Sequence, residues 1–161
     1  MATTEQTFLV PASDLFAVLT DPETYPHWLV GTRNIRAVSS DWPVPGSFFK
    51  HIVGFGPIAI PDRTTVRGID APNKLELLVR ARPAIEAVVV FQVAPTPSGC
   101  ALQMTETPVG FYKVMSVIAQ PLIRVRNERS MTRLKTFVES LAKNTRNGPS
   151  PAAEASPADP A

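Results

Sequence analysis

Residues 122–142 read LIRVRNERSMTRLKTFVESLA. At 100° per residue, Ile123, Met131, Leu134, Phe137, Val138 and Leu141 gather within an arc of roughly 140°. Arg126, Glu128, Arg129, Arg133, Lys135 and Glu139 fall on the other side. The pattern predicts an amphipathic helix over Leu122–Ala142. Its apolar stripe must be buried against another layer, because tertiary packing rather than propensity stabilises most helices. Asn127 is the exception within the stripe. A buried amide needs hydrogen-bond partners, so Asn127 either ties the helix to a strand or faces an internal cavity.

The chain ahead of this helix reads mostly as strands. Thr3–Val10 is predicted extended and is stopped by Pro11. Ala12–Thr20 follows as a short helix, with Ser13 as N-cap or Pro11 at its first position. Asp21-Pro22 then opens a second short helix, Glu23–Trp28, which Gly31 closes. Further strands are expected over Asn34–Ser39, Ser47–Phe55, Ile58–Ile69, Leu75–Arg82, Ile85–Val93 and Ala101–Thr107. The turn chemistry between them lies at Trp42–Gly46, Gly56-Pro57, Ala71-Pro72-Asn73, Pro83 and Pro95–Gly99. A helical piece over Tyr112–Ala119 leads to Pro121, where a kink or restart is expected.

Hairpin connections imply an antiparallel sheet. The expected fold is therefore α+β: a curved sheet of about seven strands around one long C-terminal helix, with two short helices after the first strand. A curved wall cannot close completely onto a single rod, which is a geometric route to an internal pocket. The domain is expected to end near residue 143. From Asn144 onward the Pro/Ala-rich sequence lacks apolar anchors and reads as a disordered tail, 144–161.

Composition narrows the function classes. Lysine plus arginine total 16 against 14 acidic residues, a net charge of only +2, which argues against nucleic acid as the main partner. The basic cluster Arg124, Arg126, Arg129, Arg133 and Lys135 is diluted by Glu128 and Glu139 and reads as a solvated helix face. The single cysteine, Cys100, excludes an intrachain disulfide and a cysteine metal cage, and suits a reducing cytoplasm. No apolar run approaches about 18 residues, so stable membrane insertion is not expected. No signal peptide is expected either. With two histidines and no nucleotide or metalloprotease motif, neither a metal nor another cofactor is expected.

Several local patterns occur in this order: Asp21-Pro22-Glu23-Thr24-Tyr25-Pro26 with Trp28; Trp42-Pro43 with Gly46; Gly54 with Gly56-Pro57; Thr105-Glu106; and Arg126-Asn127 before a Leu-containing helix end. Across residues 3–142 the chain resembles the START-like SRPBCC superfamily, in the branch labelled polyketide cyclase/dehydrase and lipid transport. The resemblance implies a helix-grip fold with a hydrophobic cavity under the C-terminal helix. It also implies binding of lipids, polyketides or other apolar molecules, with a minority of members being enzymes.

Two sets of residues are candidates for chemistry. If Ser47–Phe55 and Ile58–Ile69 turn about Gly56-Pro57, opposed residues have numbers summing to about 113, and His51 faces Asp62 on the same side of the sheet. Phe49, His51, Val53 and Phe55 form the more apolar alternate and are expected inward. That arrangement would let Asp62 orient the His51 imidazole as a general base or a ligand partner. A structural pair is the alternative, and a slip of one residue would send both side chains to solvent.

In the last strand, Leu102, Met104 and Glu106 share a face that should meet the helix. A carboxylate there must be paired or protonated, with Arg124 or Asn127 as partner. His51, Asp62 and Glu106 are thus the catalytic candidates. The candidate ligand-binding set is Trp28, Phe49, His51, Asp62, Met104, Glu106, Tyr112, Met115, Asn127 and Met131. Tyr25, His27 and Phe111 are further possible wall residues, and Arg80 and Arg82 should point outward.

These readings favour a protein that binds an apolar small molecule. The alternative is a cofactor-free enzyme of the cyclase or dehydratase kind that uses His51 to move protons. A third, weaker reading is an interaction module using the basic helix face or the tail.

Overall fold

The computed structural model describes residues 1–55, 57–81, 85–109 and 112–147. Seven strands form one sheet: β1 (Ala2–Phe8), β2 (Thr32–Val38), β3 (Phe48–Phe55), β4 (Ile58–Asp70), β5 (Lys74–Ala81), β6 (Ile85–Thr96) and β7 (Gly99–Pro108). Their spatial order is β1-β7-β6-β5-β4-β3-β2, with every neighbouring pair antiparallel. Between β1 and β2 lie α1 (Ala12–Thr20), a 3-10 turn (Pro22–Thr24) and α2 (Tyr25–Trp28). The chain closes with α3 (Tyr112–Asn147). The expected helix-grip architecture is present.

The hairpins explain the order of the sheet. The β3–β4 register pairs His51 with Asp62, Phe49 with Thr64 and Val53 with Ile60, as the turn arithmetic requires. Register shifts interrupt the β2–β3 ladder between Thr32 and Ala37 and the β4–β5 ladder between Val66 and Gly68. Such irregularities bend strands and raise their twist, which suits a sheet curled around a helix. At the last hairpin, Gly99 has φ +155 and a Cβ there would run into the Phe8 carbonyl. Glycine is what lets β7 turn in beside β1.

The core lies between the sheet's inner face, the two short helices and α3. Leu15 and Leu19 of α1 and Leu134 and Val138 of α3 pack with Leu75, Phe91 and Leu102 of the sheet, all buried. The 3-10 turn is pinned from inside. Thr24 donates to the Val18 carbonyl at 2.8 Å and receives the Trp28 indole N–H at 3.2 Å, while the Tyr25 hydroxyl donates to the Leu19 carbonyl at 2.8 Å. Trp42 reaches across to donate to the Thr20 carbonyl at 2.6 Å.

Several expectations are corrected. The N-cap of α1 is Pro11, whose carbonyl accepts from Asp14 and Leu15, while Ser13 bonds the neighbouring Asp14 side chain instead. Helix α3 runs through Pro121 without a break and ends five residues beyond Ala142. Proline removes its own amide donor and crowds the carbonyl four residues earlier, and the helix continues through it without the expected restart. Leu141, assigned to the buried stripe, is 42% exposed, because the stripe drifts off the sheet near the helix end. The tail expected from Asn144 lies, beyond Asn147, outside the described residues. Gly56, Arg82, Pro83 and Phe111 lie outside them too.

Candidate functional site

The inward alternates of β3–β7 and one face of α3 enclose a cavity. Its apolar wall comes from Leu29, Val53, Leu77, Val79, Val89, Phe91 and Met104, with the Tyr25 ring. Its polar part is Thr32, His51, Asp62, Thr64, Glu106, Arg126 and Asn127. Period-two alternation puts these side chains on one face of the sheet. Thr64, two residues after Asp62, follows it inward, and Glu106 follows Met104. The enclosed volume is about 50 Å³. That admits a few waters, against the roughly 300–1,000 Å³ of pockets for drug-sized ligands.

The polar residues form two buried clusters. In the first, His51 Nε2 lies 2.9 Å from Asp62 Oδ2, and the other carboxylate oxygen accepts the Arg80 backbone N–H at 3.0 Å. His51 and Asp62 are 2% and 4% exposed. A carboxylate only accepts hydrogen bonds, so in the neutral ring the proton sits on Nε2. Thr64 Oγ1 is a marginal contact at 3.5 Å from the same nitrogen. His51 Nδ1 is buried and has no partner. This is the arrangement of a held tautomer with a bare basic nitrogen.

In the second cluster, Asn127 Nδ2 donates to Glu106 Oε2 at 3.0 Å. Arg126 Nη1 lies 3.5 Å from the same oxygen, and its Nε donates to the Val30 carbonyl at 3.2 Å. The Glu106 contact identifies which end of the amide is nitrogen. Asn127 Oδ1 is therefore the free end, buried and without a partner. Thr32 Oγ1 is a third such atom.

The structure brings together His51, Asp62, Met104, Glu106 and Asn127 from the sequence-based set. Trp28, Phe49 and Met131 are instead core residues behind the wall. Trp28 packs on Tyr25 and Phe91, and Phe49 on Tyr25 and Trp42. Their volume suits the packed layer rather than its lining. The side chains of Tyr112 and Met115 lie outside the described residues. His27 stacks on Phe137 at 5.1 Å, away from the cavity.

Two arginines exchange roles. Of the two partners offered for Glu106, Asn127 is the one that meets it, while Arg124 is exposed and pairs with Glu128, and Arg126, expected outward, reaches Glu106. Helical side chains lean toward the N-terminus, so a long side chain at the stripe's edge can turn in. Thr32 and Thr64 were also not singled out by the sequence, although the β3–β4 register, once drawn, places Thr64 opposite Phe49.

Among the described residues, no group of three or more histidine, cysteine or acidic side chains is placed to hold a metal ion. Nor is any described helix long and apolar enough to cross a membrane.

A family model described as "Activator of Hsp90 ATPase homolog 1-like protein" matches residues 9–139. No curated protein matches the sequence. Among solved structures, a Staphylococcus aureus protein of unknown function is similar at 8% identity, with TM-score 0.71, covering 88% of this chain and 94% of that one. A Rhodobacter sphaeroides protein is similar at 18% identity, with TM-score 0.70, covering 86% and 91%. The di-domain ARO/CYC StfQ from the steffimycin biosynthetic pathway is similar at 12% identity, with TM-score 0.70. That match covers 88% of this chain and 51% of StfQ.

Proposed function

Because the chain belongs to the activator of Hsp90 ATPase homolog 1-like family, within the START-like SRPBCC superfamily, we propose that it binds an apolar small molecule between the sheet and α3. One observation carries this reading. The cavity wall is mostly aliphatic and aromatic, yet it contains two buried polar clusters with hydrogen-bonding atoms left over. Buried polar atoms without partners are uncommon in folded proteins. Here His51 Nδ1, Asn127 Oδ1 and Thr32 Oγ1 belong to side chains that line this space, whereas the unpartnered Thr4 and Ser47 hydroxyls are not part of its lining. Apolar walls with a few polar groups that orient the guest are the general pattern of ligand sites.

At about 50 Å³ the space admits only a small guest as it stands. A larger one would need the wall to open. Native mass spectrometry of the purified protein tests the reading. The expected result is a bound mass, released by organic extraction and restored by adding the extract. A protein free of bound mass that also takes up no apolar probe overturns it.

A second reading is favoured by His51. A buried imidazole oriented by Asp62, with Nδ1 bare, is equipped to take a proton from a bound molecule. One solved relative carries the name ARO/CYC, which fits this alternative. Under it, the chain is a cofactor-free cyclase or dehydratase-type enzyme. A reducing cytoplasm fits the single buried thiol of Cys100 under either reading.

A further inference from the structure

We infer that the guest is an uncharged molecule that presents hydroxyl hydrogen-bond donors, of the phenol or alcohol class, and that carboxylic acids are excluded. The inference rests on the cavity-binding reading and narrows it.

In the neutral ring His51 donates its Nε2–H to Asp62, so the nitrogen left over, Nδ1, is an acceptor. Asn127 donates an amide N–H to Glu106, and its Oδ1, which has no partner, is also an acceptor. Both side chains are at least 98% buried, and neither atom has a partner. Only a donor on a guest or a trapped water completes them. Thr32 Oγ1, the third unpartnered atom on this wall, can donate or accept.

Charge points the same way. The cavity holds two carboxylates, Asp62 and Glu106, against one cation, Arg126. That guanidinium is already engaged with Glu106 and with the Val30 carbonyl. A carboxylate guest would add a third negative charge opposite two acceptors, in surroundings that screen charge poorly. A hydrocarbon would leave both acceptors unpaired. A hydroxyl on an apolar body satisfies an acceptor and fills the apolar wall.

Isothermal titration calorimetry of the full chain near pH 8 with phenol, anisole, toluene and benzoate tests this. Phenol should bind about tenfold more tightly than anisole or toluene, one hydrogen bond's worth, and benzoate should not bind. Equal affinities for phenol, anisole and toluene, or benzoate binding as tightly as phenol, overturn the inference and leave the cavity reading standing. If none of the four binds, the cavity reading itself fails.

Asp62→Asn turns an amide N–H toward Nε2 and moves the imidazole proton to Nδ1. The preference for phenol over anisole should then shrink several-fold. If that variant does not fold, the wild-type His51 ring nitrogens still report. Saturating phenol should move the Nδ1 resonance toward the hydrogen-bonded range and leave Nε2 in place. An unchanged Nδ1 overturns the inference.

Discussion

Asn127 on α3 donates to the Glu106 carboxylate on β7 at 3.0 Å, with the two side chains 1% and 7% exposed. This bond fastens the helix to the sheet at the cavity wall. Asn127→Ala would leave Glu106 with only the 3.5 Å contact to Arg126. The loss should be about 1–3 kcal/mol, since a buried acceptor loses its partner. Urea unfolding checks this, and a loss near zero would show that water replaces the amide.

The two carboxylates bonded to Arg80, Asp62 and Glu86, should differ in worth. Asp62→Ala removes the partners of His51 Nε2, which is buried, and of the Arg80 backbone N–H, which is half-buried. About 1–3 kcal/mol should be lost. Glu86→Gln removes the charge from the partner of the Arg80 side chain, which is 41% exposed. Such half-exposed pairs contribute about 0–1 kcal/mol. Equal losses in chemical denaturation would contradict the assignment of the buried cluster as the stronger tie.

Alkali should unfold the protein through Tyr25. Burial, and then the Asp21 carboxylate, push its phenol well above the ordinary range. The hydroxyl donates to the Leu19 carbonyl, a bond the phenolate cannot make. An acid whose native value is raised contributes stability that is whole below the unfolded value and falls as pH rises past it. The loss should therefore begin above about pH 10, the unfolded tyrosine value. Tyrosinate absorbance and circular dichroism, followed together, should show Tyr25 ionising only as the fold is lost. Reversible ionisation of both tyrosines in a native spectrum would contradict this.

Cys100 should be inert in the native protein. Its side chain is fully buried, and burial, then Asp14, push the thiol up. The thiolate is the reactive form, so a disulfide reagent at neutral pH should modify it only after denaturant is added. Rapid labelling of the folded chain would show that the β1–β7 end of the sheet opens.

His51→Ala separates the two functional readings. The side chain is buried beside Phe49 at 5.1 Å, so some stability is lost in either case. Under the binding reading, a guest held mainly by the apolar wall still binds, about tenfold more weakly for one lost hydrogen bond. Under the enzymatic reading, binding persists but turnover of a candidate substrate falls by about 10²–10⁴. Binding calorimetry and a turnover assay on the same variant distinguish them.

Much of this was legible in the amino-acid sequence because it depends on period and turn chemistry. Gly56-Pro57 set the hairpin, and the hairpin set His51 opposite Asp62. Alternation along β7 brought Glu106 inward, and the stripe on α3 brought Asn127 to meet it. What failed depends on side-chain reach and on packing. A helical wheel has no length, so it misplaced Arg126 and Arg124. Pattern does not distinguish a lining side chain from one in the layer behind, so Trp28, Phe49 and Met131 were placed on the wall. Nor does any sequence pattern carry a volume. Curvature implied an internal space, but not that it would be as small as about 50 Å³.

The central claim is that the space between the sheet and α3 receives a guest. Methyl-resolved nuclear magnetic resonance during titration with phenol tests it most directly. Saturable shifts are expected, concentrated at Leu29, Val53, Leu77, Val79, Val89 and Met104, the aliphatic and methionine methyls of the wall. Shifts confined to the outer face of the sheet, or none at saturating probe, would contradict it.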